Sequence, residues 1–277
     1  MRALAFCAAL LLGLFAAHPV AWSQAKTDIV PDVWQGDVLR PKPDQFQFDR
    51  LRFVTDSDYP PFHYFDEEGV LTGFNVDLAR AICADLKITC TIQAWPWEQA
   101  GKALEDGQGD ALIAGLAMNK ANGALYDFSD IYLMLPGRFV TLKDAAQGFD
   151  PKSLTGKSVA VRKGSAHEEF IRRYLPDAKV IEFDSETAAL QALRDKQADA
   201  YFGDGMRASF WFNDNPDCCA FAGQAYFRPD LFGDGFSVAV APGHDAVRQA
   251  IDYSLARLKK SGKLDELYLR WFPVGFY

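Results

Sequence analysis

The sequence predicts an α/β protein in two lobes, each a parallel-type sheet flanked by helices. Three observations predict it. Strand-like and helix-like stretches alternate from Leu51 to Gly115, and the same alternation restarts after Pro136-Gly137. About 250 residues follow an N-terminal leader, more than one core comfortably serves.

Residues 1–23 open with Arg2, run through an apolar stretch over 4–17 and reach Ala21-Trp22-Ser23, with small residues where a signal peptidase needs them. They read as an export leader cleaved near Ser23. The apolar stretch is shorter than the ~20 residues of a membrane span, so the expected location is the periplasm. Residues 24–50 are polar and dotted with Pro31, Pro41 and Pro43, and read as an N-terminal extension with no sustained period.

The first lobe begins with residues 51–55 (LRFVT) as a strand, followed by a loop around Pro60-Pro61. A helix comes next, with Asn75 as its candidate cap and Ala79, Ile82, Cys83 and Leu86 on one apolar stripe. Residues 89–94 return as a strand, 98–105 form a short helix, and 110–114 form a third strand ending at Gly115. In the second run, 158–162 is a strand, Gly164-Ser165 opens a helix, 180–183 is a strand, 187–193 a helix and 198–202 a strand. Residues 236–241 add one more strand. Val247, Ala250, Ile251 and Leu258 then mark an amphipathic helix closed by Gly262, and a last helix carries Leu264, Leu267, Tyr268 and Trp271. Ligands of doubly wound sheets bind outside the carboxyl ends of the strands, so the loops after Thr55, Ala114, Arg162 and Phe202 are expected to line the site.

Composition narrows the function. A hydrophobic content of 49% suits packed globules. The formal charge of −8 becomes −9 once Arg2 leaves with the leader, and such a chain is a poor nucleic-acid binder. Of the five cysteines, Cys7 lies in the leader, leaving Cys83, Cys90, Cys218 and Cys219, an even number suited to an oxidising compartment. Cys83 is expected to pair with Cys90. Seven residues of unbroken helix would hold them about 10 Å apart, so the helix must end between them. The adjacent Cys218-Cys219 is either a vicinal disulfide or a reduced pair. There is no Cys-x2-Cys and no nearby histidine pair, so no metal is expected. Gly107-Gln108-Gly109 lacks the Lys-Ser/Thr of a phosphate loop, and Gly203-Asp204-Gly205 lacks a nucleophile at its centre. No cofactor is expected.

The loops also carry a resemblance. Residues 54–62 (VTDSDYPPF), 73–79 (GFNVDLA) and 127–130 (DFSD), in this order and spacing, resemble the family 3 solute-binding proteins, which include lysine/arginine/ornithine and histidine receptors. The likeness spans about 51–272 and extends to Cys83 and Cys90, which match a disulfide in those receptors, and to Phe232-Gly233-Asp234-Gly235 near the second crossover. It implies a double-hinged, two-lobed periplasmic-binding-protein fold, with lobe 1 at 51–134 plus 235–277 and lobe 2 at 135–234. It further implies a receptor that closes on a small polar, amine-containing or amino-acid-like ligand and delivers it to the membrane subunits of an ABC importer. A monomer is expected.

Position by position, the family's pocket falls on Asp56, Tyr59, Trp97, Gly115, Ala117, Asn122, Arg162, Ser165, His167 and Asp204. The aspartate at the position of Asp204 takes a ligand's α-ammonium in such receptors, and an aromatic at that of Trp97 stacks on its side chain. They use an arginine for the α-carboxylate where this chain has Asn122, and serines where it has Ala114 and Ala117. An Asn cannot make the charge-assisted bidentate contact. Arg162, beside the amides of the helix start at Gly164-Ser165, is the candidate substitute. Asp56, Asp58 and Asp204 with Tyr59, Phe62, Tyr64 and Trp97 also suit an amine held by cation-π contact.

The expected mechanism is hinge closure: Asp56, Tyr59 and Trp97 meet the ligand first, and Arg162, Ser165 and Asp204 complete the contacts only in the closed state. Two alternatives share the fold. A cyclohexadienyl-dehydratase-like enzyme would use His167 with Glu168 or Glu169 for acid-base work, although glutamates in a helix's first turn complement the macrodipole without any substrate. A ligand-sensing receptor would present its closed form to a membrane signalling protein.

Overall fold

A computed structural model describes residues 48–116, 118, 121–272 and 275–277. The leader, residues 24–47 of the extension and Ala117 lie outside the described residues.

Two five-stranded sheets organise the chain. In the first, the strands run in the order Thr89–Ala94, Arg50–Thr55, Ala111–Leu112, Ala239–Val240 and Asp127–Phe128. The first three are parallel, as strand-helix alternation requires, and the last two are joined antiparallel. Alternate residues of Arg50–Thr55 serve opposite faces. Leu51 and Phe53 pack beneath the helices Phe74–Leu86, Asp245–Ser261 and Lys263–Trp271, through Leu78, Ile82, Leu255 and Leu264, whereas Val54 packs against Ala100, Ala103 and Leu104 of Trp97–Glu105. Each such buried Leu, Ile, Val or Phe side chain contributes about 1.5–3 kcal/mol.

The second sheet has the order Lys179–Phe183, Ser158–Arg162, Ala200–Asp204, Gly137–Leu142 and Cys219–Tyr226. Its first three strands are again parallel, and the last two, absent from the sequence reading, extend it antiparallel. Val140, Ala160 and Tyr201 face Leu190 and Trp211 on one side, while Phe139, Val161 and Phe202 face Phe170 and Ile171 on the other. The two chain crossings between the sheets lie side by side: Leu133 and Phe236 form an antiparallel bridge, with Phe236 N donating to Leu133 O at 2.7 Å. This is the two-lobed, doubly connected architecture expected above.

Both expected and undecided disulfides are present. Phe74–Leu86 ends with Lys87 in the left-handed region, which turns the chain back and brings the Cα atoms of Cys83 and Cys90 to 5.7 Å, where they are bonded. Cys218 and Cys219 form a vicinal disulfide.

One capping assignment is corrected. Gly73, not Asn75, precedes the helix Phe74–Leu86, and Asn75 is fully buried with its side chain turned into the lobe. Gly73 has φ +130°, and a Cβ there would stand 2.2 Å from Phe62 O, so the close approach of two backbones dictates glycine. Gly73→Ala should therefore lower the unfolding free energy by about 2–3 kcal/mol in urea titration. A loss under about 0.5 kcal/mol would refute the steric account.

Candidate functional site

Parallel register gathers the site. On the first lobe, Phe53 pairs with Ala111 and Val54 with Leu112, so the loops after Thr55 and Leu112 leave at one edge. They carry Asp56, Tyr59 and Gly115. Gly115 has φ +69°, and a Cβ on it would lie 3.7 Å from the Tyr59 ring and 3.6 Å from Phe236. Tyr59 is itself packed on Phe62 with ring centroids 5.0 Å apart. Trp97 opens its helix after Pro96, next to the end of Arg50–Thr55, where Trp95 N donates to Thr55 O at 2.8 Å; its side chain is 46% exposed. Asn122 begins the short turn Asn122–Ala124, and its carbonyl accepts from Leu125 N and Tyr126 N.

Asp56 is not simply a ligand-facing acid. It is buried, and its Oδ1 meets Nε2 of fully buried His63. Behind His63 the contacts continue: Asn75 Nδ2 donates to His63 Nδ1 at 3.0 Å, and Tyr132 Oη donates to Asn75 Oδ1 at 2.9 Å. With Nδ1 accepting, the imidazole proton sits on Nε2 and points to Asp56. Burial pushes His63 down to about 4, so it is neutral at pH 7. Burial, and then Asp58, pushes Asp56 above the usual carboxylate range.

On the second lobe, three parallel strands end at Arg162, Phe183 and Asp204, and each is followed by a capped helix. Ser165 Oγ accepts from Glu168 N, Ser185 Oγ from Ala188 N, and Asp204 Oδ1 from Arg207 N at 3.0 Å. Three helix N-termini thus converge on one sheet edge, a positive setting for an anion. Ser165 also donates to Arg162 O at 2.7 Å, so its hydroxyl serves the cap. His167 stacks on Phe232 with centroids 4.6 Å apart, and burial, then the charge of Arg162, pushes it down to about 4.

Two cavities open at this edge. A smaller one of about 400 Å³ is lined by Arg162, Ser165, His167, Glu186, Asp204 and Arg207, among others. A larger one of about 770 Å³ places Tyr59, Pro60 and Pro61 of the first lobe opposite Arg162, Glu186 and Arg207 of the second. Tyr59 senses that wall: burial and then Asp204 raise its hydroxyl's pKa, against the opposing charge of Arg207. Asp56, Trp97, Gly115 and Asn122 do not line these two cavities.

Glu186 and Arg207 escaped the sequence reading. Glu186 opens the helix after Phe183, the one parallel strand end of this lobe outside the four loops that the sequence singles out. Arg207 follows Asp204 by three residues, within the first turn of the helix Gly205–Asp214. Nε of Arg207 stands 3.3 Å from Glu186 Oε2. The wall therefore mixes cations, Arg162, Lys163 and Arg207, with acids, among them Asp204 and Glu186. Among the described residues, no group of His, Cys, Asp and Glu is arranged to hold a metal ion.

Two sheets facing one another across a cleft, joined by paired crossings and presenting strand ends and helix N-termini to it, define a two-lobed solute-binding protein. The sequence profile of the bacterial extracellular solute-binding proteins, family 3, matches residues 51–274, and the chain belongs to that family. The ABC transporter arginine-binding protein 1 of Escherichia coli (strain K12) is 26% identical over 225 residues, 81% of this chain and 91% of its own. Among solved structures, an ancestral cationic amino acid solute-binding protein matches with a TM-score of 0.62 at 27% identity, over 81% of this chain and 96% of its own. An ancestral cyclohexadienyl dehydratase shares the fold, with a TM-score of 0.69 at 23% identity over 82% of this chain and 93% of its own. No helix among the described residues is long and apolar enough to cross a membrane.

Proposed function

We propose that the protein is a periplasmic receptor for an amino acid, which it encloses between lobe 1 (51–134 plus 235–277) and lobe 2 (135–234) and hands to an ABC importer as a monomer. The observation that carries the reading is the wall of mixed charge on lobe 2. A zwitterionic head group needs an acid for its ammonium and a cation for its carboxylate. Asp204 supplies the first; Arg162 and Arg207, beneath three helix N-termini, supply the second. The carboxylate clamp missing at Asn122 is thereby transferred to the other lobe. Tyr59 closes over the ligand from lobe 1, and Trp97 reaches it only when the lobes approach. Contacts that exist only in the closed state drive the closure. The names of the relatives, an arginine-binding protein and an ancestral binder of cationic amino acids, support the ligand class.

A receptor reading is favoured over one that uses His167 and Glu168 for acid-base work by the state of those two groups. His167 is stacked and neutral, and Glu168 is held by Arg172 Nε at 2.7 Å and then by Gly164 N at 2.7 Å, which keep it below its ordinary value. Neither is poised to donate a proton at neutral pH.

The test is calorimetric titration with L-arginine, L-histidine, L-glutamine and the decarboxylated amine of each. Amino acids are expected to bind at least about tenfold more tightly than their amines, a difference of about 1.4 kcal/mol from the carboxylate contact. Amines binding equally well would overturn the role given to Arg162 and Arg207.

A further inference from the structure

Glu186 is a buried acid that the protein leaves half-compensated. Its Oε2 is out of contact with solvent and has no hydrogen-bond partner, and its side chain is 11% exposed. The nearest cation, Arg207, stands 3.3 Å away from that oxygen with a side chain 56% exposed, so its charge is shared with water. Behind lies Tyr201, whose hydroxyl is also buried and without a hydrogen bond, pressed against Gly203. Asp204 adds a second negative charge, and Arg162 a more distant positive one. The side open to Glu186 is the ligand cleft, since it lines both cavities. A carboxylate removed from water needs a charged partner, and this one faces a space shaped to receive it.

We propose that Glu186 is a second ligand-binding carboxylate, distinct from Asp204, which accepts a cationic group on the ligand's side chain and so selects guanidino or diamino acids over neutral ones. The inference rests on the amino-acid reading above. Asp204 and Glu186 start different helices on one wall, so a ligand lying along that wall meets an acid at each end of a short dication. A neutral side chain would leave Glu186 as undercompensated as in the empty cleft and gain nothing there.

Proton release follows from the same placement. Burial, and then the charge of Asp204, pushes Glu186 up to about 7, while Arg207 and Arg162 oppose the shift. The empty receptor holds a proton on Glu186 below that pH, and a cation entering the cleft displaces it. Affinity for a cationic ligand should thus fall by about tenfold for each pH unit below 7 and level off above it.

Calorimetry of L-arginine and L-glutamine, at about pH 6 and 8 and in two buffers of different ionisation enthalpy, tests this on the wild-type protein, Glu186→Gln and Glu186→Asp. For the wild type, L-arginine is expected to bind about tenfold more tightly at pH 8 than at pH 6, with a proton passed to the buffer at the lower pH. Glu186→Gln should cost L-arginine about ten- to a hundredfold, leave L-glutamine within about threefold and abolish the proton transfer, whereas Glu186→Asp should retain the preference for L-arginine. If Glu186→Gln binds both amino acids as the wild type does, or keeps the proton transfer, this inference is overturned and the receptor reading stands. Wild-type protein that binds neither amino acid overturns the receptor reading itself, and this inference with it.

Discussion

Asp204→Asn is expected to weaken amino-acid binding by a few hundredfold while leaving the fold unchanged. The carboxylate has two tasks that this variant separates. As a helix cap it accepts from Arg207 N at 3.0 Å, and Asn caps as well as Asp does. In the proposed site it supplies the negative charge for an ammonium, which Asn cannot. Burial holds Asp204 above the usual carboxylate range in the empty cleft, with the Arg207 amide and guanidinium opposing, so an incoming ammonium gains a poorly solvated partner. Losing one member of such a desolvated pair costs about 3–4 kcal/mol, which corresponds to some two to three orders of magnitude in affinity. Thermal unfolding of the empty variant should match the wild type within about 2 °C. Asp204→Ala, which also removes the cap, should lose a similar amount of affinity and about 1 kcal/mol of stability besides. Titration of Asp204→Asn with L-arginine giving affinity within about threefold of wild type would show that the ammonium is held elsewhere.

Much of the architecture is legible in the sequence because local pattern and tertiary role coincide. Residues 51–55, the stripe from Ala79 to Leu86 and the Ser165 cap each satisfy one local rule that the fold then uses. Gly205–Asp214 fails that test for a physical reason. Met206, Ala208, Ser209, Trp211 and Phe212 are all buried, since Trp211 packs in the second lobe while Met206 joins the first lobe's core and Phe210 meets Phe272. A helix clasped from several sides carries no stripe. The two antiparallel strands of lobe 2 were missed because their pairing is long-range, joining Gly137–Leu142 to Cys219–Tyr226. In the site, strand-end residues such as Arg162 and Asp204 are readable from topology. Glu186 looks like an ordinary first-turn glutamate until its helix start is seen beside Arg162, as Phe183 pairs with Arg162.

His63 was the least visible feature, and it supports the second large effect. The strands that place it, Asp58–Tyr59 and His63–Phe65, are two and three residues long, too short for an alternating pattern. Asn75→Leu should destabilise the protein by about 3–4 kcal/mol, because it strands the Tyr132 hydroxyl and His63 Nδ1, each fully buried, at about 1–3 kcal/mol apiece. Adding Tyr132→Phe to Asn75→Leu removes one stranded donor and should recover about 1 kcal/mol, a coupling that urea titrations of both single variants and the double would reveal. Strict additivity would break the proposed chain of contacts. The same network sets a pH response. His63 is depressed from its ordinary 6.5 to about 4 in the folded protein, so its contribution is present above 6.5 and is lost as pH falls toward 4, where the unfolded chain takes up the proton first. His63→Gln should therefore flatten the fall of stability between those two values. An unchanged slope would mean that His63 carries its proton in the folded state, as an imidazolium against Asp56.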